Sequence, residues 1–198
     1  RDISFSVRKG ELVGIAGLMG AGRTETTRAI FGADQKESGK IFVEGKEVFI
    51  RNPKDAIKNG IVLAPEDRKK DGLCTKLPVR ENISLPNLDG LKGKNLVINS
   101  RKENDISQKA IKDMNIKLPH AEVNAETLSG GNQQKVVVGK WLAGNSKLVM
   151  FDEPTRGIDV AAKVEIYHLM NQLKENGIGC LFVSSELSEV IGVADRII

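Results

Sequence analysis

Leu12-Val13-Gly14-Ile15-Ala16 is a short apolar run ending in Gly17-Leu18-Met19-Gly20-Ala21-Gly22-Arg23-Thr24, and Thr24 to Phe31 then carries helical periodicity. No other feature narrows the fold as far. A buried strand, a glycine-rich turn and a helix in direct succession make a corner whose backbone N–H groups can converge on one point. Gly17, Gly20 and Gly22 let the chain curl so that those groups face a phosphate, and the helix adds the positive end of its dipole. Glycine turns are often only structural corners; the full spacing behind an apolar strand favours phosphate binding. Residues 17 and 18, 20 to 22, Arg23, Thr24 and Glu25 are the expected nucleotide contacts, with the Thr24 hydroxyl suited to Mg²⁺.

The remaining pattern is that of an α/β chain. A hairpin is expected with Lys40–Val43 and Glu47–Ile50 flanking Glu44-Gly45-Lys46. Pro53 suits the first turn of a helix that Gly60 ends, and Ile61-Val62-Leu63-Ala64 reads as a second buried strand. From about residue 66 to 139 the chain is rich in Lys, Asn and Asp and helical in period, clearest from Ser100 to Asn115. Strand and helix then alternate again through Leu148–Phe151, a helix from Val160 to Asn176, and Cys180–Val183. Short continuous apolar strands alternating with helices imply a parallel sheet covered on both faces. The expected division is a core of residues 1–65 and 140–198 with a helical subdomain at 66–139, in one domain of 198 residues. Residues 1–7 and the last three both read as strand. A segment of a longer polypeptide, lacking an edge strand at each side, is therefore expected.

Two further stretches carry chemistry. Leu148-Val149-Met150-Phe151 runs into Asp152-Glu153-Pro154-Thr155, so the strand's first polar residues, at the edge where ligands collect, are adjacent carboxylates. Successive strand residues point in opposite directions, so the two carboxylates have different tasks. Asp152 suits a magnesium shell; Glu153 suits orienting or deprotonating an attacking water. Leu128-Ser129-Gly130-Gly131-Asn132 opens a helix running to Ala143, with Ser129 as its N-cap. Two glycines in a first turn are costly. They make sense where free N–H groups lie flat against an anion.

Composition excludes more than it selects. The net charge of +4 is mild and its lysines are scattered, so it gives no reason to expect nucleic-acid binding. Cys74 and Cys180 fit no metal or disulfide pattern. With no signal peptide and no apolar run near membrane-spanning length, a cytosolic chain is expected. His120 and His168 read as surface residues and Trp141 as core.

These elements, in this order and over essentially the whole chain, resemble the ATP-binding cassette (ABC) ATPases. The resemblance implies a P-loop NTPase (RecA-like) parallel-sheet core with an antiparallel β part and an inserted α-helical subdomain. It implies ATP and Mg²⁺ as ligands, and a second cassette bound head to tail so that Ser129, Gly130, Gly131 and Asn132 close over the partner's nucleotide. Asp159 falls in the loop that spans that interface. More narrowly, Ala64-Pro65-Glu66-Asp67-Arg68-Lys69 and Leu128–Asp159 look like the second cassette of fused, two-cassette ATPases of bacterial simple-sugar importers. Membrane permease subunits and, indirectly, a periplasmic or lipid-anchored sugar-binding protein are then the expected partners, with the chain peripheral on the inner membrane face. Residues 65–86 lie where the family meets its permease. The family's adenine-stacking aromatic lies upstream of the first strand read here. Alternatives are a soluble ABC protein without a membrane partner, and a regulatory nucleotide sensor without hydrolysis.

Departures from the family cluster at one site. Arg23 stands in place of lysine, a planar fork where a point charge is usual. Ser185 stands where the family has its switch histidine and cannot carry that cation, though it could cap the next helix. Glu66 replaces the usual glutamine and could contact magnesium or its waters. Glu153 is kept. A site that holds ATP but hydrolyses it poorly is expected, beside an intact Ser129-Gly130-Gly131.

Overall fold

The computed structural model describes residues 3–17, 20–93 and 97–198. The chain packs as two compact units. One contains the residues up to Glu66, Ser146–Arg156 and Tyr167–Ile198; the other contains Asp67–Asn145 and Gly157–Ile166.

The first unit is built on a five-stranded parallel sheet. Its strands are β1 (Leu12–Ala16), β4 (Ile61–Ala64), β5 (Leu148–Asp152), β6 (Gly179–Ser184) and β7 (Arg196–Ile197), in the order β4-β5-β6-β1-β7. The apolar runs of β4, β5 and β6 are buried on both faces, as in an all-parallel sheet, while the edge strand β7 leaves Ile197 exposed. Every residue of β6 is buried, and Val149, Met150 and Phe151 of β5 are fully so. Register decides what meets at the sheet's C-terminal edge. Ala16 pairs with Ser184 and Asp152 with Val183, so β1, β5 and β6 deliver their next residues side by side.

Helix α1 (Arg23–Phe31) follows the glycine loop and buries Thr27 and Phe31. Helix α2 (Pro53–Lys58) starts as its sequence implies, with Pro53 at the first position and the Asn52 side chain accepting from the Asp55 N–H. Helix α8 (Leu187–Val193) lies directly on β1: a side chain on Gly14 would come within 2.3 Å of Val190 Cγ1. The hairpin is β2 (Ile41–Val43) and β3 (Lys46–Val48), joined by Glu44 and Gly45, both with positive φ. Residues 3–7 form no strand. Their alternating pattern finds no ladder among the described residues, and a strand without a partner leaves its backbone groups to water.

The second unit is helical, with α3 (Val79–Ser84), α4 (Leu88–Leu91), α5 (Ser100–Asp113), α6 (Gly130–Leu142) and the first residues of α7 (Val160–Glu175). A π turn, Arg68–Gly72, precedes α3. Val136, Val137 and Val138 of α6 are fully buried. The α5 face carries a buried carboxylate, Glu103, which is ion-paired with Arg80 and accepts from the Ser84 hydroxyl at 2.7 Å. Trp141 is half-buried and not the core residue expected, with the Lys140 ammonium 4.8 Å above its ring. His120 and His168 are exposed. Among the described residues, no helix is long and apolar enough to cross a membrane.

Candidate functional site

The glycine loop leaves β1 at the edge where β5 and β6 also end. Gly20 and Gly22 have φ of 81° and 85°, values at which an L side chain is strained; Leu18 and Met19 lie outside the described residues. Gly22 is the left-handed N-cap of α1, a helix of nine residues whose first-turn N–H groups have no acceptor within the helix. At the second position of α1, the Thr24 hydroxyl donates to Asp152 Oδ1 at 3.1 Å. Thr27 Oγ1 donates to the Thr24 carbonyl at 2.9 Å and lies 3.5 Å from Asp152 Oδ2. Glu25 and Ala21 are exposed.

Asp152 is 1% exposed, and burial pushes its carboxyl above the usual range while the Thr24 hydroxyl pulls it back. A hydroxyl beside a buried carboxylate is an all-oxygen donor set, which fits a hard cation such as Mg²⁺ that takes its other ligands from phosphate and water. Among the described residues no group of three or more His, Cys, Asp or Glu could hold a metal unaided.

Arg23 turns back over the loop, its Cδ 3.4 Å from where a side chain on Gly17 would begin. One guanidinium nitrogen, Nη1, donates to the Ser184 carbonyl at 2.5 Å; the other, Nη2, lies 3.4 Å from Glu153 Oε1. Both side chains of this ion pair are about a tenth exposed, so water screens it weakly. The Ser185 hydroxyl donates to Glu153 Oε2 at 3.3 Å. Each carboxylate oxygen of Glu153 is therefore engaged. Glu153 itself has φ 46°, the left-handed region that non-glycine residues avoid, and its N–H donates to the Val183 carbonyl at 2.9 Å. Strain of this kind collects where a side chain must be aimed. Glu66, at the end of β4, is ion-paired with Arg156.

Sequence reasoning passed over one buried group. Glu189 of α8 accepts hydroxyl protons from Thr155 at 2.7 Å and Ser184 at 3.0 Å, both on Oε2. Only its spacing after Ser184-Ser185 could have hinted at this, because acidic residues in a first helical turn are ordinary.

In the helical unit Ser129 caps α6, its Oγ accepting from the Asn132 N–H at 3.5 Å and from Asn132 Nδ2 at 2.9 Å. The side-chain oxygen of Asn132, Oδ1, in turn accepts from the Lys117 N–H at 2.8 Å. The two glycines have a packing reason as well as the expected anion-binding one. A side chain on Gly130 would come 2.8 Å from Arg68 Nη2 and 3.1 Å from Ile158 Cγ2; one on Gly131 would come 2.8 Å from Ala162 Cβ. Arg68 is partly buried, and its guanidinium reaches Gln133 Oε1 at 3.4 Å. Asp159 caps α7, accepting from the Ala162 N–H at 2.9 Å.

A profile of the family described as ABC transporter matches residues 1–156. The chain is 50% identical over 197 residues to the ribose import ATP-binding protein RbsA of Bacillus subtilis (strain 168), covering 100% of this chain and 40% of that protein. It is also 50% identical over 198 residues to the xylose import ATP-binding protein XylG of Thermoanaerobacter pseudethanolicus, covering 100% of this chain and 39% of that protein. The chain thus spans about two fifths of the length of these curated relatives. Among solved structures, a nucleotide-free ATP-binding cassette from an ABC transporter superposes with a TM-score of 0.80 at 27% identity, covering 98% of this chain and 78% of that one. A dimeric cassette in a post-hydrolysis state with ADP and Pi has a TM-score of 0.81 at 21% identity, covering 100% of this chain and 84% of that one; this likeness is of fold.

Proposed function

The chain belongs to the ABC transporter family, and on that premise we propose that it is an ATP-binding segment of a bacterial importer for simple sugars. It binds MgATP at the edge formed by the ends of β1, β5 and β6. The backbone of residues 17–22 and the N-terminus of α1 receive the phosphates. Thr24 and Asp152 would hold Mg²⁺, and Glu66, once released from Arg156, would be a further oxygen donor for the ion or its waters. When bound, that ion neutralises charge on the terminal phosphates. Glu153 is the group that would orient the attacking water.

The chain acts as one half of a pair. It is the second cassette of a longer, two-cassette polypeptide, and Ser129, Gly130, Gly131 and Asn132 complete the nucleotide site of the first, with Asp159 at the interface. Permease subunits hold the pair at the inner membrane face, and a sugar-binding protein delivers the cargo to them. The division into a core of residues 1–65 and 140–198 and a helical part at 66–139 belongs to the same reading.

One observation carries the functional conclusion: the Arg23 guanidinium sits between the Glu153 carboxylate and the Ser184 carbonyl. A carboxylate whose two oxygens are taken by a guanidinium and a hydroxyl must give them up before it can orient a water, and a guanidinium held by two protein oxygens must leave them to meet a phosphate. Ser185 offers a hydroxyl but no cation there. The site therefore binds ATP better than it hydrolyses it, and turnover falls to the partner site. Steady-state ATPase of the full-length protein tests this with Glu153→Gln here and the matching substitution in the other cassette. A small loss from the first and a near-complete loss from the second are expected; equal losses would remove the asymmetry.

A further inference from the structure

We infer that Glu189 is a positioning residue that couples the loop carrying Glu153 to the strand end carrying Ser184 and Ser185. Its consequence for nucleotide rests on the proposed ATP site; the coupling itself belongs to the nucleotide-free chain.

Glu189 is 8% exposed, and Thr155 and Ser184 are 2% and 1% exposed. A carboxylate at that depth is costly unless donors meet it. Here two hydroxyls donate to the same oxygen, and such charge-assisted bonds are roughly twice as strong as neutral ones. Capping of α8 does not account for the arrangement, because Thr155 comes from the loop after β5, 34 residues earlier in the chain. The contacts run on from both ends. Ser184 Oγ also accepts from the Glu186 N–H at 3.1 Å, which fixes the direction in which its proton points. The Ser184 carbonyl takes the Arg23 guanidinium, and Ser185 reaches Glu153. Thr155 lies two residues beyond Glu153, whose own N–H is held by the Val183 carbonyl.

Glu153 and the Ser184–Ser185 step are thus joined at two levels. One is the β5–β6 backbone ladder; the other is the buried carboxylate behind it. A shift of the Glu153 loop drags Thr155, and through Glu189 it drags Ser184, the residue that also holds Arg23. Arg23, Glu153 and Ser185 then change position together and not one at a time. The hydroxyl of Thr155, and not its bulk, is what transmits the shift.

Two substitutions separate these properties. Thr155→Val keeps the shape and loses the hydroxyl; Thr155→Ser keeps the hydroxyl and loses the methyl. Amide hydrogen exchange in the nucleotide-free full-length protein is read at Glu186, whose N–H bonds to Ser184 Oγ and which neither substitution touches. Thr155→Val is expected to speed exchange at Glu186 by about tenfold, and Thr155→Ser to leave it within about twofold of the parent. Unchanged exchange with Thr155→Val, equal acceleration in both, or acceleration by Thr155→Ser alone would overturn the coupling. Should Thr155→Val not fold, Ser184→Ala is read at the Arg156 amide, where the same tenfold acceleration is expected and its absence is equally decisive. Affinity for a fluorescent ATP analogue with Mg²⁺, measured on the same variants, should fall with Thr155→Val and be kept by Thr155→Ser. Failure of the unsubstituted protein to bind the analogue would remove the ATP-site reading while leaving the exchange result intact.

Discussion

The guanidinium of Arg23 and the carboxylate of Glu153 face each other at 3.4 Å, each about a tenth exposed, at the junction of the glycine loop with the end of β5. The residue expected to touch phosphate and the residue expected to handle water are bound to each other. Replacing the fork with a point charge should release the carboxylate. Arg23→Lys combined with Ser185→His is expected to raise single-turnover ATP cleavage at this site by about 10²-fold, the range associated with one preorganised donor. The measurement is ADP formation in full-length protein whose other cassette is inactivated. No gain over the parent would place the deficiency elsewhere.

Asp152 pits stability against binding. Burial raises its carboxyl's pKa, so the ionised form present at neutral pH is disfavoured in the folded chain. Asp152→Asn should raise the thermal midpoint of the nucleotide-free protein. The same change should lower apparent Mg²⁺ affinity in the presence of ATP by at least about tenfold. Calorimetric scans with and without MgATP read both effects; a lower midpoint without ligand would contradict the burial argument.

Gly131 and Gly130 should respond differently to alanine. At Gly131 the new methyl meets Ala162 Cβ, which has no rotamer to change, so α6 and the start of α7 must part. A loss of about 1–3 kcal/mol in urea unfolding is expected. Ala162→Gly in the same chain should recover much of it. At Gly130 the nearest atom is the far end of Arg68, which can swing aside, and helix propensity favours alanine by about 1 kcal/mol. Gly130→Ala should therefore fold nearly as well as the parent.

Two buried groups set an alkaline signature of opposite signs. Burial lowers the Lys140 ammonium from 10.5 to about 8 and raises the Cys180 thiol from 9.0 to about 12. Above pH about 8 the unfolded chain keeps a Lys140 proton that the folded chain releases, so stability rises with pH. From pH about 9 the unfolded chain loses the Cys180 proton that the folded chain keeps, and stability falls. Urea midpoints should climb between about pH 8 and pH 9, level off up to about pH 10.5 and fall above it, and Lys140→Met should remove the climb.

The local order of strand, glycine loop and helix was legible in the sequence because each part is written in neighbouring residues. Apolar runs at 12–16, 61–64 and 148–151 read as buried strands, glycines at 20 and 22 supply the left-handed turns, and Ser129 caps the helix that follows it. The same locality exposed Arg23 and Ser185 as departures. Residue type alone says that neither can do what lysine and histidine do.

Pairings between distant residues were decided only by tertiary structure. No period or spacing links Thr155 to Glu189, Arg23 to the Ser184 carbonyl, or Gly131 to Ala162. The first two follow from strand register and helix placement, through Ala16 beside Ser184, Asp152 beside Val183, and α8 laid over Gly14; the third follows from the packing of α6 against the start of α7. Sequence by itself determined which candidate groups for phosphate and magnesium this protein carries. The tertiary structure decided which of them are held by one another, because burial turns a chance neighbour into an obligatory hydrogen-bond partner.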